Sequence, residues 1–165
     1  GVTIGPVINS AALDSILAAV DDATSKGARL LYGGHRLTDG DYSKGYFMEP
    51  TLLSEVTPDM EIVHEEVFGP VLTLIPFDTP EEGLAGANAV RFGLATAIYT
   101  TSLKVADSFI KGAEAGVVHV NDPTFGSSVH APFGGLKESG FGPHEQGDSP
   151  MEFFTETRTI FLVGK

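Results

Sequence analysis

The sequence predicts an α/β fold in which helices layer against a sheet, and three observations predict it. Stretches with apolar residues at helical spacing alternate with short aliphatic and β-branched runs, the order expected of helices covering a sheet rather than of a bundle or a sandwich. The 165 residues, 42% of them hydrophobic, suffice to bury roughly 70% of the unfolded surface, so a single domain is the simplest reading. The 20 glycines and 10 prolines are scattered along the chain, and so read as turns between short elements rather than as a low-complexity tract.

The first element starts at Asn9 or Ser10, where an amide or hydroxyl can cap a helix whose Leu13, Ile16, Leu17 and Val20 share one face. Gly27 after Lys26 ends it. Ala28 to Tyr32 reads as a short strand, Gly33-Gly34 as a turn, and Arg36 to Ser43 as a polar loop. Pro50 to Leu53 is a strand entering a loop. Val71 to Phe77 is apolar enough to predict a strand buried on both faces. A helix follows over Pro80 to Val90, then a strand over Ala95 to Thr100. Ser102 caps a helix with Ala106, Phe109, Ile110 and Ala113 on one stripe, and Gly116 to Val120 is the next strand. From Asn121 to about Gly147 the pattern dissolves into a loop longer than a connection needs, which marks it as functional. Phe153 to Val163 is a β-rich run with no local hairpin partner, so it is expected to pair with a distant strand or another chain.

Composition excludes several classes of function. With 22 acidic and 10 basic residues the formal charge is −12, which disfavours nucleic acid and anionic lipid as partners. The absence of cysteine removes disulfides, thiolate metal sites and any thiol nucleophile from this chain, and fits the cytoplasm. No run approaches the ~18 apolar residues of a membrane span, and Gly1 to Pro6 lacks the basic and apolar regions of an export signal.

Motifs narrow the field further. His64-Glu65-Glu66-Val67-Phe68 opens like a zinc-protease helix but lacks the second histidine four places on, so no metal is expected. Neither a Gly-x-Ser-x-Gly elbow nor a Walker loop is present. The run Gly134 to Gly142 is not a dinucleotide fingerprint, since no strand immediately precedes it and the third glycine is misplaced. Its glycines imply close approach of main chain either to a packed neighbour or to a ligand.

Four blocks together resemble successive landmarks of the aldehyde dehydrogenase superfamily, in the same order. They are Glu65-Glu66-Val67-Phe68-Gly69-Pro70-Val71, Asn88 with Phe92-Gly93-Leu94-Ala95, Gly116 to Asn121, and Pro132-Phe133-Gly134-Gly135-Leu136-Lys137-Glu138-Ser139-Gly140-Phe141-Gly142. Gly5-Pro6-Val7-Ile8 at the start and Phe153-Phe154-Thr155-Glu156 near the end extend the resemblance over nearly the whole chain.

The resemblance implies a layered sheet with helices on both faces over residues 1–152, the C-terminal part of a catalytic domain, and a terminal oligomerisation strand over 153–165. It implies an NAD(P)-dependent oxidation of an aldehyde to its acid through a thioester on a cysteine upstream of this chain, so that the chain alone is inactive and contains no catalytic residue. Glu66 is similar to the glutamate that hydrogen-bonds the nicotinamide ribose, and Phe68 to a residue flanking the nicotinamide; otherwise Glu66 is a solvated acid and Phe68 a core residue. Leu94 matches a position approaching the cofactor, with core packing the competing reading. Thr124, Phe125 and Phe133 correspond to the lining of the aldehyde passage. The implied partners are the aldehyde, the rest of the enzyme with its cofactor-binding domain, and further copies met through the terminal strand. The segments Gly142 to Gly147 and Met151 to Thr155 resemble branches acting on semialdehydes. The rival of another class is a scaffold or assembly module that kept the fold and lost catalysis. A third reading, an independent nucleotide-binding domain, requires tight NAD(H) binding by the isolated chain.

Overall fold

A computed structural model describes residues 4–126 and 128–164. Gly1 to Thr3 of the N-terminal run, Ser127 of the predicted loop and Lys165 of the predicted terminal strand lie outside the described residues. The chain divides into two units, Gly1–Asp78 and Thr79–Lys165.

In the first unit, α1 (Ser10–Ser25) begins where the cap was expected: the Asn9 side chain accepts a hydrogen bond from the Ala12 amide at 2.8 Å, satisfying a donor that a helix start leaves unpaired. Gly27, at φ 109°, takes the chain out of the helix in a conformation that favours glycine. Leu13, Ile16, Val20 and Ala23 form the buried stripe, whereas Leu17 is only half-buried. β1 (Arg29–Tyr32) pairs antiparallel with β4 (Thr51–Ser54), which pairs parallel with β5 (Val71–Thr73), in the order β1-β4-β5.

Two expectations for this unit need correction. The polar loop predicted at Arg36 to Ser43 contains β2 (Arg36–Leu37), paired antiparallel with β3 (Phe47–Met48) around a 3₁₀ turn at Gly40–Lys44. Strands this short are set by their partner, not by composition. The strand predicted to Phe77 ends its ladder at Thr73, and Leu72 and Phe77 are 62% and 63% exposed. Among the described residues of this unit nothing covers the face that carries Leu72 and Leu74, so the apolar run buries one face and not two.

Helix α1 and the sheet enclose two clusters. One gathers Val20, Ala23, Ala28, Leu53, Val56, Met60 and Ile62; the other Leu13, Ile16 and Met48, with Val67 and Val71 packed against both. Leu53 and Ile16 are buried to within 1% of completely, and each such side chain contributes roughly 1.5–3 kcal/mol of burial. Thr51 is buried and polar, and its hydroxyl is matched: it accepts from the Gly34 amide at 2.9 Å and donates to the Glu49 carbonyl at 3.0 Å.

In the second unit, α3 (Pro80–Asn88) follows the short α2 (Glu61–His64) of the first in chain order; Thr79 caps it and Pro80 occupies its first turn, where no amide is needed. β7 (Ala95–Ile98) and β8 (Val117–Val120) run parallel, joined by α4 (Leu103–Gly112), the crossover that a parallel pair requires. Ser102 caps α4 as expected, and Ala106 and Phe109 are buried, but Ile110 is 51% exposed. The predicted loop from Asn121 contains β9 (Leu136–Lys137), which pairs antiparallel with β6 (Phe92–Gly93). The α/β expectation holds, with the strands of the described residues distributed over four small sheets.

The tail departs from its prediction at its start. Phe153 and Phe154 end helix α5 (Ser149–Phe154) and pack edge to face, ring centroids 4.8 Å apart. Residues 155–164 are exposed and carry no assigned ladder. A β-rich composition needs a partner for its amides and carbonyls before it becomes a strand, and the described residues of this chain supply none there.

Candidate functional site

Glu65 to Pro70 leaves α2 along the surface of the first unit. His64 is accounted for locally, its Nε2 lying 2.7 Å from the Pro58 carbonyl oxygen. Among the described residues no group of three or more His, Asp or Glu side chains could hold a metal. Val67 packs into both core clusters, and that anchor turns its two neighbours outward: Glu66 is exposed and Phe68 is 84% exposed. Phe68 has φ 53°, an outlier for a bulky side chain. Gly69 completes the turn, where a Cβ would sit 2.6 Å from Ile16 Cδ1 and force that buried side chain to shift. Within this chain Phe68 joins neither core cluster.

Thr124 and Phe125 lie on the loop that leaves the carboxyl end of β8, and both are exposed. Asn121, at φ 57°, fixes the root of that loop. Its side chain accepts from the Thr100 amide at 2.8 Å and donates to the Thr100 carbonyl at 3.0 Å, clasping the segment that follows β7. Crevices beyond the carboxyl ends of parallel strands are where α/β proteins bind ligands.

Leu94 sits between β6 and β7, 42% exposed, its carbonyl accepting from the Val117 amide at 3.0 Å. Phe133 is half-buried and exchanges two backbone hydrogen bonds with Glu145, at 2.6 and 2.9 Å. The glycine-rich turn between them is built from main chain in contact with main chain. A Cβ on Gly116 would run into the Gly134 carbonyl, and one on Gly140 into the carbonyl of Gly135. Ser139 Oγ accepts from the Gly93 amide at 3.0 Å. The glycines thus serve close packing of neighbours, the first of the two readings the sequence allowed.

The structure therefore brings Glu66 and Phe68 together on one loop, and links Leu94 to Phe133 through the β6–β9 ladder; the two sets belong to different units. Two cavities of the second unit, of about 370 Å³ beside Phe141, His144 and Phe153 and about 180 Å³ beside Leu84 and Phe109, contain none of the six predicted site residues. Sequence reasoning assigned no role to Asn121, Ser139 or Lys137. Asn121 and Ser139 each follow or precede a run of glycine or β-branched residues, where a lone polar group signals a backbone clasp.

The sequence model of the aldehyde dehydrogenase family matches residues 1–160. The chain belongs to the aldehyde dehydrogenase family. It is 40% identical over 161 residues to the alpha-ketoglutaric semialdehyde dehydrogenase of Bacillus subtilis (strain 168), covering 98% of this chain and 33% of that one. To the alpha-ketoglutarate semialdehyde dehydrogenase of Haloferax volcanii it is 42% identical over 159 residues, covering 96% and 33%. The fold is similar to that of betaine aldehyde dehydrogenase from Staphylococcus aureus in complex with NAD+, with a TM-score of 0.85, 34% identity and coverage of 92% of this chain and 30% of that chain. The chain spans about a third of the length of the curated relatives it matches. Among the described residues, no helix of this aldehyde dehydrogenase family member is long and apolar enough to cross a membrane.

Proposed function

We propose that this chain is the C-terminal third of an NAD(P)-dependent aldehyde dehydrogenase that oxidises a semialdehyde to the carboxylic acid, with the thiol nucleophile supplied by another part of the polypeptide. One observation carries the reading: the core anchor at Val67 and the left-handed backbone at Phe68 hold a carboxylate and an aromatic ring outward, two residues apart, on a constrained loop. That arrangement fits a nicotinamide nucleotide. The Glu66 carboxylate has the acceptor oxygens to receive two ribose hydroxyls, and the Phe68 ring offers a flat apolar surface to the nicotinamide. Bound there, NAD(P) supplies the hydride acceptor. Leu94, on the second unit, is a further residue proposed to face a cofactor.

Thr124, Phe125 and Phe133 line the aldehyde passage, where an apolar surface excludes water and holds the carbon chain. The chain has no cysteine, so by itself it forms no thioester. The exposed apolar side chains of Leu72, Leu74 and Phe77 meet the remainder of the enzyme, including its cofactor-binding domain. The tail from Thr155 adds its backbone to a neighbouring copy in a homo-oligomer. The absence of cysteine is in keeping with a cytoplasmic enzyme.

The test is formation of reduced cofactor by the complete polypeptide supplied with α-ketoglutarate semialdehyde and NAD+ or NADP+. Turnover is expected, and none from the 165-residue chain alone. A complete polypeptide that reduces neither cofactor with this or any other aldehyde overturns the proposal, and turnover by the isolated chain refutes the external thiol.

A further inference from the structure

Lys137 has an unusual setting for a surface lysine. Its backbone lies at φ 52°, in the left-handed region, and its side chain is only 23% exposed. The ammonium reaches three oxygens: the Asn88 carbonyl at 2.6 Å, the Val90 carbonyl at 3.0 Å and Glu114 Oε2 at 2.7 Å. Three acceptors match the three donors of an ammonium. Two of them are main-chain oxygens at the carboxyl end of α3, where the helix dipole favours a cation.

The same junction is tied by Asn88, whose Nδ2 donates to the Gly112 carbonyl at 2.7 Å and whose Oδ1 accepts from the Glu114 amide at 2.9 Å. The ends of α3 and α4 are thereby joined to β9. From this junction the chain reaches the two proposed ligand-facing residues by short leads. Leu94 follows β6 directly, and Phe133 precedes β9 by two glycines. The ladder connecting them has only two residues in each strand, Phe92 opposite Lys137 and Gly93 opposite Leu136, too short to fix an orientation by itself.

We infer that Lys137 is a positioning residue: its ammonium locks the β6–β9 ladder onto the end of α3 and so sets the spacing of Leu94 and Phe133, and through them of cofactor and aldehyde. The left-handed backbone is a cost that this role explains, because with the chain so turned the side chain crosses back over the residues that lead into β6. A lysine needed only for solubility would require neither the strain nor the three oxygens. The inference rests on the proposed function, since it takes Leu94 and Phe133 to face the cofactor and the aldehyde.

The experiment uses the complete polypeptide, NAD+ and α-ketoglutarate semialdehyde, comparing the parent with Lys137→Met and Lys137→Gly. Glycine suits the left-handed backbone and leaves room for an added amine, so it keeps the test open where methionine fails to fold. Misplacement of bound groups by a fraction of an ångström is expected to raise KM for both ligands about tenfold. Butylammonium, added to the Lys137→Gly protein, is expected to recover most of that loss, whereas tetramethylammonium, which has no N–H donors, is not. Unchanged kinetic constants overturn the role of Lys137, as does a variant whose folded fraction turns over normally at reduced thermal stability, or one that butylammonium does not restore. A parent polypeptide without NAD(P)-dependent turnover overturns the proposed function first, and this inference with it.

Discussion

Replacing Phe68 by alanine and, separately, by glycine isolates the strain that holds its ring outward. The ring is 84% exposed, so its removal forfeits little burial, about 0.5 kcal/mol at most, in both variants alike. The backbone distinguishes them. At φ 53° an L-residue carries a cost of roughly 1–2 kcal/mol that alanine retains and glycine escapes. Against this, glycine loses roughly 0.5–1 kcal/mol more chain entropy on folding. The glycine variant is therefore expected to be the more stable by about 0.5–1 kcal/mol, the reverse of the order at an ordinary exposed position. Urea denaturation of the 165-residue chain followed by circular dichroism reads this directly, as a midpoint higher by about 0.5 M for a slope of 1–3 kcal/mol/M. If Phe68 faces the nicotinamide as proposed, the cofactor KM of the complete polypeptide rises in both variants, and the glycine form gains stability relative to alanine without regaining affinity. An alanine variant as stable as the glycine one, or more so, would refute the left-handed backbone and the outward presentation that depends on it.

Four further outcomes are expected. Gly69→Ala drives a Cβ to within 2.6 Å of a buried Ile16 side chain, and such overpacking costs about 1–3 kcal/mol, to be measured by urea titration and reversed in part by Ile16→Val. On the proposed function, Glu66→Gln in the complete polypeptide removes about the worth of one charged hydrogen bond to the ribose, a rise of roughly tenfold in cofactor KM with the aldehyde KM unchanged. The Thr57 hydroxyl, donating to Asp59, holds that carboxyl below its ordinary range, so its contribution to stability is present above the ordinary carboxylate pKa and is lost as pH falls through the lowered native one; Thr57→Val should return the Asp59 titration, followed by NMR, toward the ordinary value. Removing residues 155–165 from the complete polypeptide should reduce its sedimentation coefficient to that of a smaller oligomer, and an unchanged value would exclude the tail as the arm.

What the sequence revealed depended on how local each cause was. Helix α1 was legible because its cap, its apolar stripe and its terminating glycine all lie within 9–27 and act on one another. Helix α4 was legible for the same reason. The apolar run from Val71 was read correctly as strand-forming but wrongly as buried on both faces, since composition reports what a strand could bury and not which neighbours it has. The pairing of β2 with β3 was missed because two-residue strands exist only through their partner. The helix at Ser149 had an available signal in Asp148-Ser149-Pro150, a polar residue before a proline in the first turn, that the β-rich residues beyond it obscured. Glu66 and Phe68 stood out through resemblance, and their geometry needed the Val67 anchor to become visible. Lys137 could not be singled out, because the carbonyls it holds lie 47 and 49 positions earlier.

A Cβ added at Gly93, Gly116 or Gly140 would run into the carbonyl of Glu114, Gly134 or Gly135 respectively, which has a consequence for substitution. A frame assembled from peptide groups is written almost entirely in glycines, so it tolerates hardly any exchange of side chain. Thr124 and Phe125 of the adjoining loop are exposed, and no such contact constrains them. On the proposed function, libraries aimed at Thr124 and Phe125 should yield many more active clones than libraries aimed at the glycines.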